Sequence, residues 1–175
     1  MSEKIETAVS LLPGWEVRRD SDVRNVRADR ADGSVLWFRE RLDGRIEIHG
    51  SWPRDPAGRY VDPRTWEERK KAGLSEITVS DDSSPERIAK EISRRLLPML
   101  DNLAARALTI IAREAEFERE TEETRKAIGL DGEGRYLHCK AGIIEVSVSG
   151  STVGFPRLSC DLEIALRVIA ALRGE

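Results

Sequence analysis

Apolar residues recur along this chain with two different periods, and the periods predict its elements. Ile5, Ala8, Val9, Leu11 and Leu12 return at helical spacing over residues 5–12, and Pro13-Gly14 stops that helix. Alternation with a period of two follows at about 15–19, 23–29, 35–41 and 45–50, which predicts four strands. Asp43-Gly44 falls between Trp37-Phe38-Arg39-Glu40-Arg41 and Arg45-Ile46-Glu47-Ile48 and reads as a tight hairpin turn of the primed kind. Asp32-Gly33 reads as a second such turn.

Residues 52–74 break the alternation with Pro53, Pro56, Gly58, Pro63 and Gly73, and read as a long excursion. Inside it Asp62 suits an N-cap, Pro63 a first helical position and Gly73 a C′ stop, so a short helix is predicted at about 63–72. Glu76-Ile77-Thr78-Val79-Ser80 predicts a further strand. Ser84 and Pro85 open a helical stretch that runs to about 128, with Ile88, Ile92, Leu96, Leu100, Leu103, Ala107 and Ile110 on its apolar row. Pro98 removes one hydrogen bond and clashes with the preceding turn, so it kinks or divides this helix. After Gly129 come a hairpin (about 135–140 and 143–149), a strand at about 152–159 and a helix from near Asp161.

These elements predict an α+β fold. It is a single domain over residues 1–175, with possible units 1–129 and 130–175. An antiparallel sheet of about six to eight strands carries a long kinked helix and a C-terminal helix on one face. The order strand, strand, strand, helix occurs twice, around Ile46-Glu47-Ile48 and Ile144-Glu145-Val146, which suggests an internal duplication.

Composition narrows the function classes. The 175 residues hold 29 Lys+Arg against 32 Asp+Glu, a net charge of −3, which excludes a strongly basic nucleic-acid coat and an acidic tail but leaves room for a local basic patch. No apolar run approaches the roughly 20 residues needed to cross a bilayer, and the N-terminus does not read as a signal peptide, so no membrane association and an intracellular location are expected. Cys139 and Cys160 each fall on an apolar row and are expected as buried, reduced thiols.

Three surfaces stand out. The excursion interleaves Trp52, Tyr60 and Trp66 with Arg54, Arg59, Arg64, Arg69, Lys70 and Lys71, against Asp55, Asp62, Glu67 and Glu68. Aromatic rings among guanidinium groups can stack bases and hold phosphates, or anchor a protein partner. The sheet places Trp37, Arg39 and Arg41 on the face opposite Leu36 and Phe38. Finally, positions 103, 107, 110, 114, 117, 121, 124 and 128 form a weak heptad seam along the long helix, a candidate for a homodimer.

Catalytic motifs are not evident. His49 and His138 do not complete a zinc spacing, and no phosphate-binding lysine loop or dinucleotide fingerprint occurs. Ser151 directly follows Gly150, which is not the nucleophile-elbow spacing. The chain is therefore expected to be non-catalytic, with no cofactor and no metal.

Two stretches carry a resemblance: Ile46-Glu47-Ile48-His49-Gly50-Ser51-Trp52-Pro53-Arg54-Asp55, and Ile77-Thr78-Val79-Ser80 leading into Ser84-Pro85-Glu86-Arg87-Ile88-Ala89-Lys90-Glu91-Ile92 and Arg94-Arg95-Leu96-Leu97-Pro98. Over roughly residues 10–125 the chain resembles small bacteriophage- and prophage-encoded proteins of unassigned activity. The resemblance implies a bacterial cytoplasm and a task in phage replication, DNA handling or interference with the host. The expected function is a non-catalytic accessory protein that binds nucleic acid through Arg39, Arg41, Trp52, Arg54, Arg59, Tyr60, Arg64, Trp66, Lys70 and Lys71. The alternative is an adaptor or inhibitor that uses this surface on a host protein of defence or replication.

Overall fold

The computed structural model describes residues 2–18, 25–70, 75–130, 136–139, 142–155 and 158–173. The chain divides into two compact units, Met1–Ile111 and Ala112–Glu175. The division falls inside the long helix rather than at residue 129.

The first unit opens with α1 (Ser2–Ser10), followed by β1 (Trp15–Arg18), β2 (Asn25–Arg30), β3 (Val35–Glu40), β4 (Arg45–Ser51), α2 (Trp66–Arg69) and β5 (Glu76–Ser80). The five strands pair antiparallel in sequence order. Then come α3 (Pro85–Glu91), a π turn (Ile92–Leu96) and α4 (Leu97–Ala127), which continues into the second unit. Strand alternation sends Val26, Ala28, Leu36, Phe38, Ile46, Ile48, Ile77 and Val79 to one face, where Ile88, Ile92, Leu96 and Leu100 pack on them together with the apolar side of α1. The opposite face of the sheet is open to solvent.

Both Asp-Gly sites are hairpin turns, but of a different kind from the one predicted. Gly44 N–H donates to Arg41 O at 3.3 Å and Arg41 N–H to Arg45 O at 2.8 Å; Gly33, Arg30 and Ser34 repeat the pattern at 2.9 Å and 2.9 Å. These are three-residue loops whose glycines take a positive φ, at 73° and 87°. Asp32 accepts the Ser34 N–H at 2.9 Å.

The kink at Pro98 takes the form of the π turn. Proline has no N–H to give, and its ring collides with the carbonyl four residues back. Widening the turn over Ile92–Leu96 moves that carbonyl away, and Leu97 N–H bonds to Ile92 O instead. Ser84 caps α3 as predicted, accepting from Arg87 N–H at 3.4 Å, with Pro85 at the first position.

The second unit holds two small sheets, a hairpin of β6 (Tyr136–Cys139) with β7 (Gly142–Glu145), and an antiparallel sheet of β8 (Ser147–Ser149), β9 (Thr152–Phe155) and β10 (Leu158–Asp161). It ends with α5 (Leu162–Arg173), which Asp161 caps by accepting Ile164 N–H at 3.0 Å. Ile128, Leu130, Val146, Val153, Ala165 and Ile169 form its core, with Cys160, a free and partly buried thiol, beside them. The Cys139 side chain lies outside the described residues. The end of α4 is a Schellman cap, in which Leu130 N–H reaches Arg125 O at 2.8 Å and Gly129 N–H reaches Lys126 O at 3.0 Å.

The α+β class, the antiparallel pairing and the two principal helices agree with the sequence reading. The single sheet of six to eight strands does not: the described residues form ten strands in sheets of five, three and two. The predicted strand 152–159 is two strands that pair with each other. The repeated element order is not matched by the pairing, since β4 neighbours β5 whereas β7 and β10 lie in different sheets. The heptad seam is also largely occupied within the chain. Leu103 and Ala107 are buried against Trp52, while Thr124 and Ile128 are buried in the second unit. Thr121 Oγ1 accepts Gly150 N–H at 2.9 Å, and Phe117 lies against that glycine. Among the described residues no helix is long and apolar enough to cross a membrane.

Phe38 is fully buried at the centre of the first core, whereas Leu42 at the tip of the β3–β4 hairpin is fully exposed. Phe38→Ala is expected to cost about 3–5 kcal/mol of stability, and Leu42→Ala less than about 0.5 kcal/mol. Urea unfolding of the two variants checks this; similar losses for both would refute the assignment of the core.

Candidate interaction surface

Residues 52–70 of the excursion form a platform on α4. Trp52, only 4% exposed, packs on Leu103, Ala104 and Ala107, and its indole N–H donates to Val61 O at 2.6 Å. That bond satisfies the one polar atom of a buried ring and closes the intervening chain into a loop. Arg106 of α4 makes the second attachment, with two bonds of 3.0 Å to the Glu68 carboxylate and a further bond to Pro63 O.

Within the loop each turn is held by an aspartate. Asp55 is buried and accepts Arg59 N–H at 2.6 Å as well as the Arg59 guanidinium, while Gly58 N–H bonds to Asp55 O at 2.8 Å. Asp62 takes Arg64 in a fork at 2.9 and 3.0 Å, accepts Arg64 N–H at 3.0 Å, and lies 3.3 Å from Arg69. Asp62 is thus an arginine receptor and not the helix cap predicted for it. The cap is Thr65, which forms a reciprocal capping box with Glu68, so the helix is the single turn α2.

These contacts shift the carboxylates. The Arg64 bonds hold Asp62 below the usual carboxylate range. Burial pushes Asp55 up, but the side-chain and backbone bonds from Arg59 outweigh it and the net shift is downward. Glu68 is lowered by the Thr65 N–H and then by Arg106.

Tyr60 and Trp66 are exposed on this loop beside the charged side chains of Arg54, Arg59, Glu67, Arg69 and Lys70. Tyr60 is 52% exposed and sits 5.5 Å from Trp52, ring centre to ring centre, while the Arg64 guanidinium covers Trp52 at 5.4 Å. Trp66 is 69% exposed, with Lys70 Nζ 5.1 Å from its ring and 3.2 Å from Glu67. Arg54 is exposed and donates to Gly58 O at 3.3 Å. Lys71 lies outside the described residues.

Trp52, Arg54, Arg59, Tyr60, Arg64, Trp66 and Lys70 are therefore brought together, with Trp52 inside the platform and its ring unavailable for stacking. Arg39 and Arg41 are elsewhere, at the tip end of the β3–β4 hairpin, separated by the length of β4, about 20 Å. There Arg41 lies 3.6 Å from Asp43 and 3.9 Å from Glu47, beside an open cavity of about 450 Å³ that Arg39 also lines. On the open sheet face Arg27 stacks over Trp37 at 5.2 Å and bonds to Asp29 at 2.6 Å.

Sequence reading missed Arg106, whose partners lie 38 and 43 residues away, and no local signal points to them. Among the described residues no group of three His, Cys, Asp or Glu side chains is placed to hold a metal. The chain matches no family model, no curated protein and no solved structure.

Since the folded chain holds Asp55, Asp62 and Glu68 below their unfolded values, their pairing stabilises the fold above the ordinary carboxylate range. That contribution is lost as the pH falls through the depressed values. Thermal unfolding at a series of acid pH values should therefore show a stability loss that is shallower in Asp62→Asn. An identical slope in the variant would remove the Asp62 pairing from the account.

Proposed function

We propose that this chain is a non-catalytic binding module of bacteriophage type, an adaptor or inhibitor that engages a protein of the bacterial host through Tyr60 and Trp66. The observation that carries the reading is the state of the excursion's charges. Asp55 meets Arg59, Asp62 meets Arg64 and Arg69, Glu67 meets Lys70, and Glu68 meets Arg106. A phosphate would have to displace these carboxylates. A protein partner can instead bury exposed Tyr and Trp rings on a platform already held in place, inside a polar rim.

Nucleic acid is the second reading, and the open face of the five-stranded sheet favours it. Trp37 is 39% exposed, with Arg27 stacked on it, His49 opposite it on β4, and Arg39 two residues along β3. An exposed ring among cations on a sheet can stack a base.

Affinity capture from bacterial lysate, with and without nuclease, separates the two. The protein reading expects one partner that survives nuclease and is lost with Tyr60→Ala and Trp66→Ala, each weakening binding by about 2 kcal/mol or more. Recovery that nuclease abolishes, or direct binding of single- or double-stranded nucleic acid that falls steeply with salt, would overturn it in favour of the sheet face.

A further inference from the structure

β5 is the last strand of the five-stranded sheet, and among the described residues no strand pairs with its outer edge. Its ladder with β4 decides which backbone groups face outward. Gly50 N–H donates to Ser75 O at 2.7 Å and Asp81 N–H to Gly44 O at 3.0 Å. The register places Ile48 opposite Ile77 and Ile46 opposite Val79. Bonded and non-bonded pairs alternate in an antiparallel ladder. Residues 75, 77, 79 and 81 therefore bond towards β4. The N–H and C=O groups of Glu76 and Thr78, and the Ser80 N–H, point away from the sheet. Ser80 O is taken by Ser83 N–H at 3.1 Å, which closes that end. Sheet edges are commonly blunted by charged side chains, above all Lys, by Pro or by a bulge, and the one charge on this edge is Glu76. Glu76-Ile77-Thr78-Val79-Ser80 contains no Lys and no Pro.

A groove of about 260 Å³ runs beside this edge. Thr78 and Ser80 line one side, and Arg87, Glu91 and Arg95 line the other, with Asp82 at the turn between strand and helix. The three charged residues are spaced by four and form one row on the helix. Glu91 is already engaged by Arg94 at 3.1 Å and Arg95 at 3.4 Å. Arg87 is exposed and has no ion-pair partner among the described residues.

The geometry points to the β5 edge as a docking site for an extended acidic peptide of another protein, added as a sixth strand with carboxylates facing Arg87 and Arg95. Spacing supports this chemistry. Carboxylates four residues apart on one face of a strand stand about 13 Å apart. Arg95 follows Arg87 by eight positions along α3 and the π turn, a rise of at most about 12 Å. The strand's backbone groups would supply the common affinity and the arginine row the choice of side chain. A second copy of the chain suits the edge less well. Two-fold pairing about Thr78 runs the helix rows antiparallel and sets Arg87 against Arg95 and Glu91 against Glu91. This site is distinct from Tyr60 and Trp66 and does not rest on the function proposed for them.

The test uses the full chain, isotope-labelled for NMR, and two capped peptides of about ten residues that alternate threonine and valine. One carries two glutamates four residues apart, and the other carries lysines there. The glutamate peptide is expected to shift the Glu76, Thr78 and Ser80 amide signals and slow their hydrogen exchange. In the double variant Arg87→Glu, Arg95→Glu it should bind about tenfold more weakly, while the lysine peptide gains. Both arginines are exposed, so the variant keeps the fold, and its spectrum verifies that. The Tyr60→Ala, Trp66→Ala variant should bind the glutamate peptide unchanged, which separates failure here from failure of the aromatic site. Equal binding of both peptides, unchanged affinity in the charge-reversed variant, or silent β5 amides at millimolar peptide would each overturn the proposal. So would protection of those amides that grows with protein concentration in the absence of peptide, because a second copy would then be the occupant.

Discussion

The first unit depends on keeping one row of helix side chains over the sheet. Ile88, Ile92, Leu96 and Leu100 are spaced by four, and all four are fully buried. In a regular α-helix each step of four overruns a full turn by about 40°, so such a row drifts off its partner. The π turn between Ile92 and Leu96 takes in more residues per revolution and winds the row back. Pro98 makes that turn the low-energy choice, since it cannot donate and will not tolerate the regular carbonyl behind it. A residue that reads as a helix breaker therefore serves to hold the helix on the sheet. Gly50 shows how close the two come: a Cβ there would lie 3.1 Å from Leu100.

The same helix then organises the excursion. Its next turns present Leu103, Ala104 and Ala107 to Trp52, and Arg106 to Glu68 and Pro63. The proline-rich segment is an ordered loop because its buried indole, its aspartates and its cap all find partners, which offsets the entropy of ordering it. Rigidity in turn matters for recognition, since a ring presented from a fixed platform loses little freedom on binding.

Much of the fold was legible in the pattern of residues. Periods of two and of three to four located the strands of the first unit and the long helical stretch, Ser84-Pro85 located the start of α3, and Gly129 the end of α4. The errors have physical causes. Asp-Gly marks a turn, but two loop lengths accept it, and the choice belongs to strand twist and register. Asp62 and Thr65 are both competent caps; Thr65 prevails because Glu68 can answer it reciprocally while Asp62 is engaged by two arginines. The heptad seam read as a dimer surface since sequence records spacing and not what already covers a position.

By itself the sequence determined the local elements, since backbone sterics, capping and apolar periodicity act within a few residues. It also set the composition of the excursion, aromatic rings among mixed charges. Only the tertiary structure decided how those groups are sorted. Trp52 is buried and Tyr60 and Trp66 are exposed because α4 covers one ring and not the others. Most of the excursion's cations meet carboxylates because folding brings them within hydrogen-bond reach. Strand pairing is likewise non-local, and it alone made β5 an edge. That is why a near-neutral list of charges could not say which of these groups are paired and which are exposed.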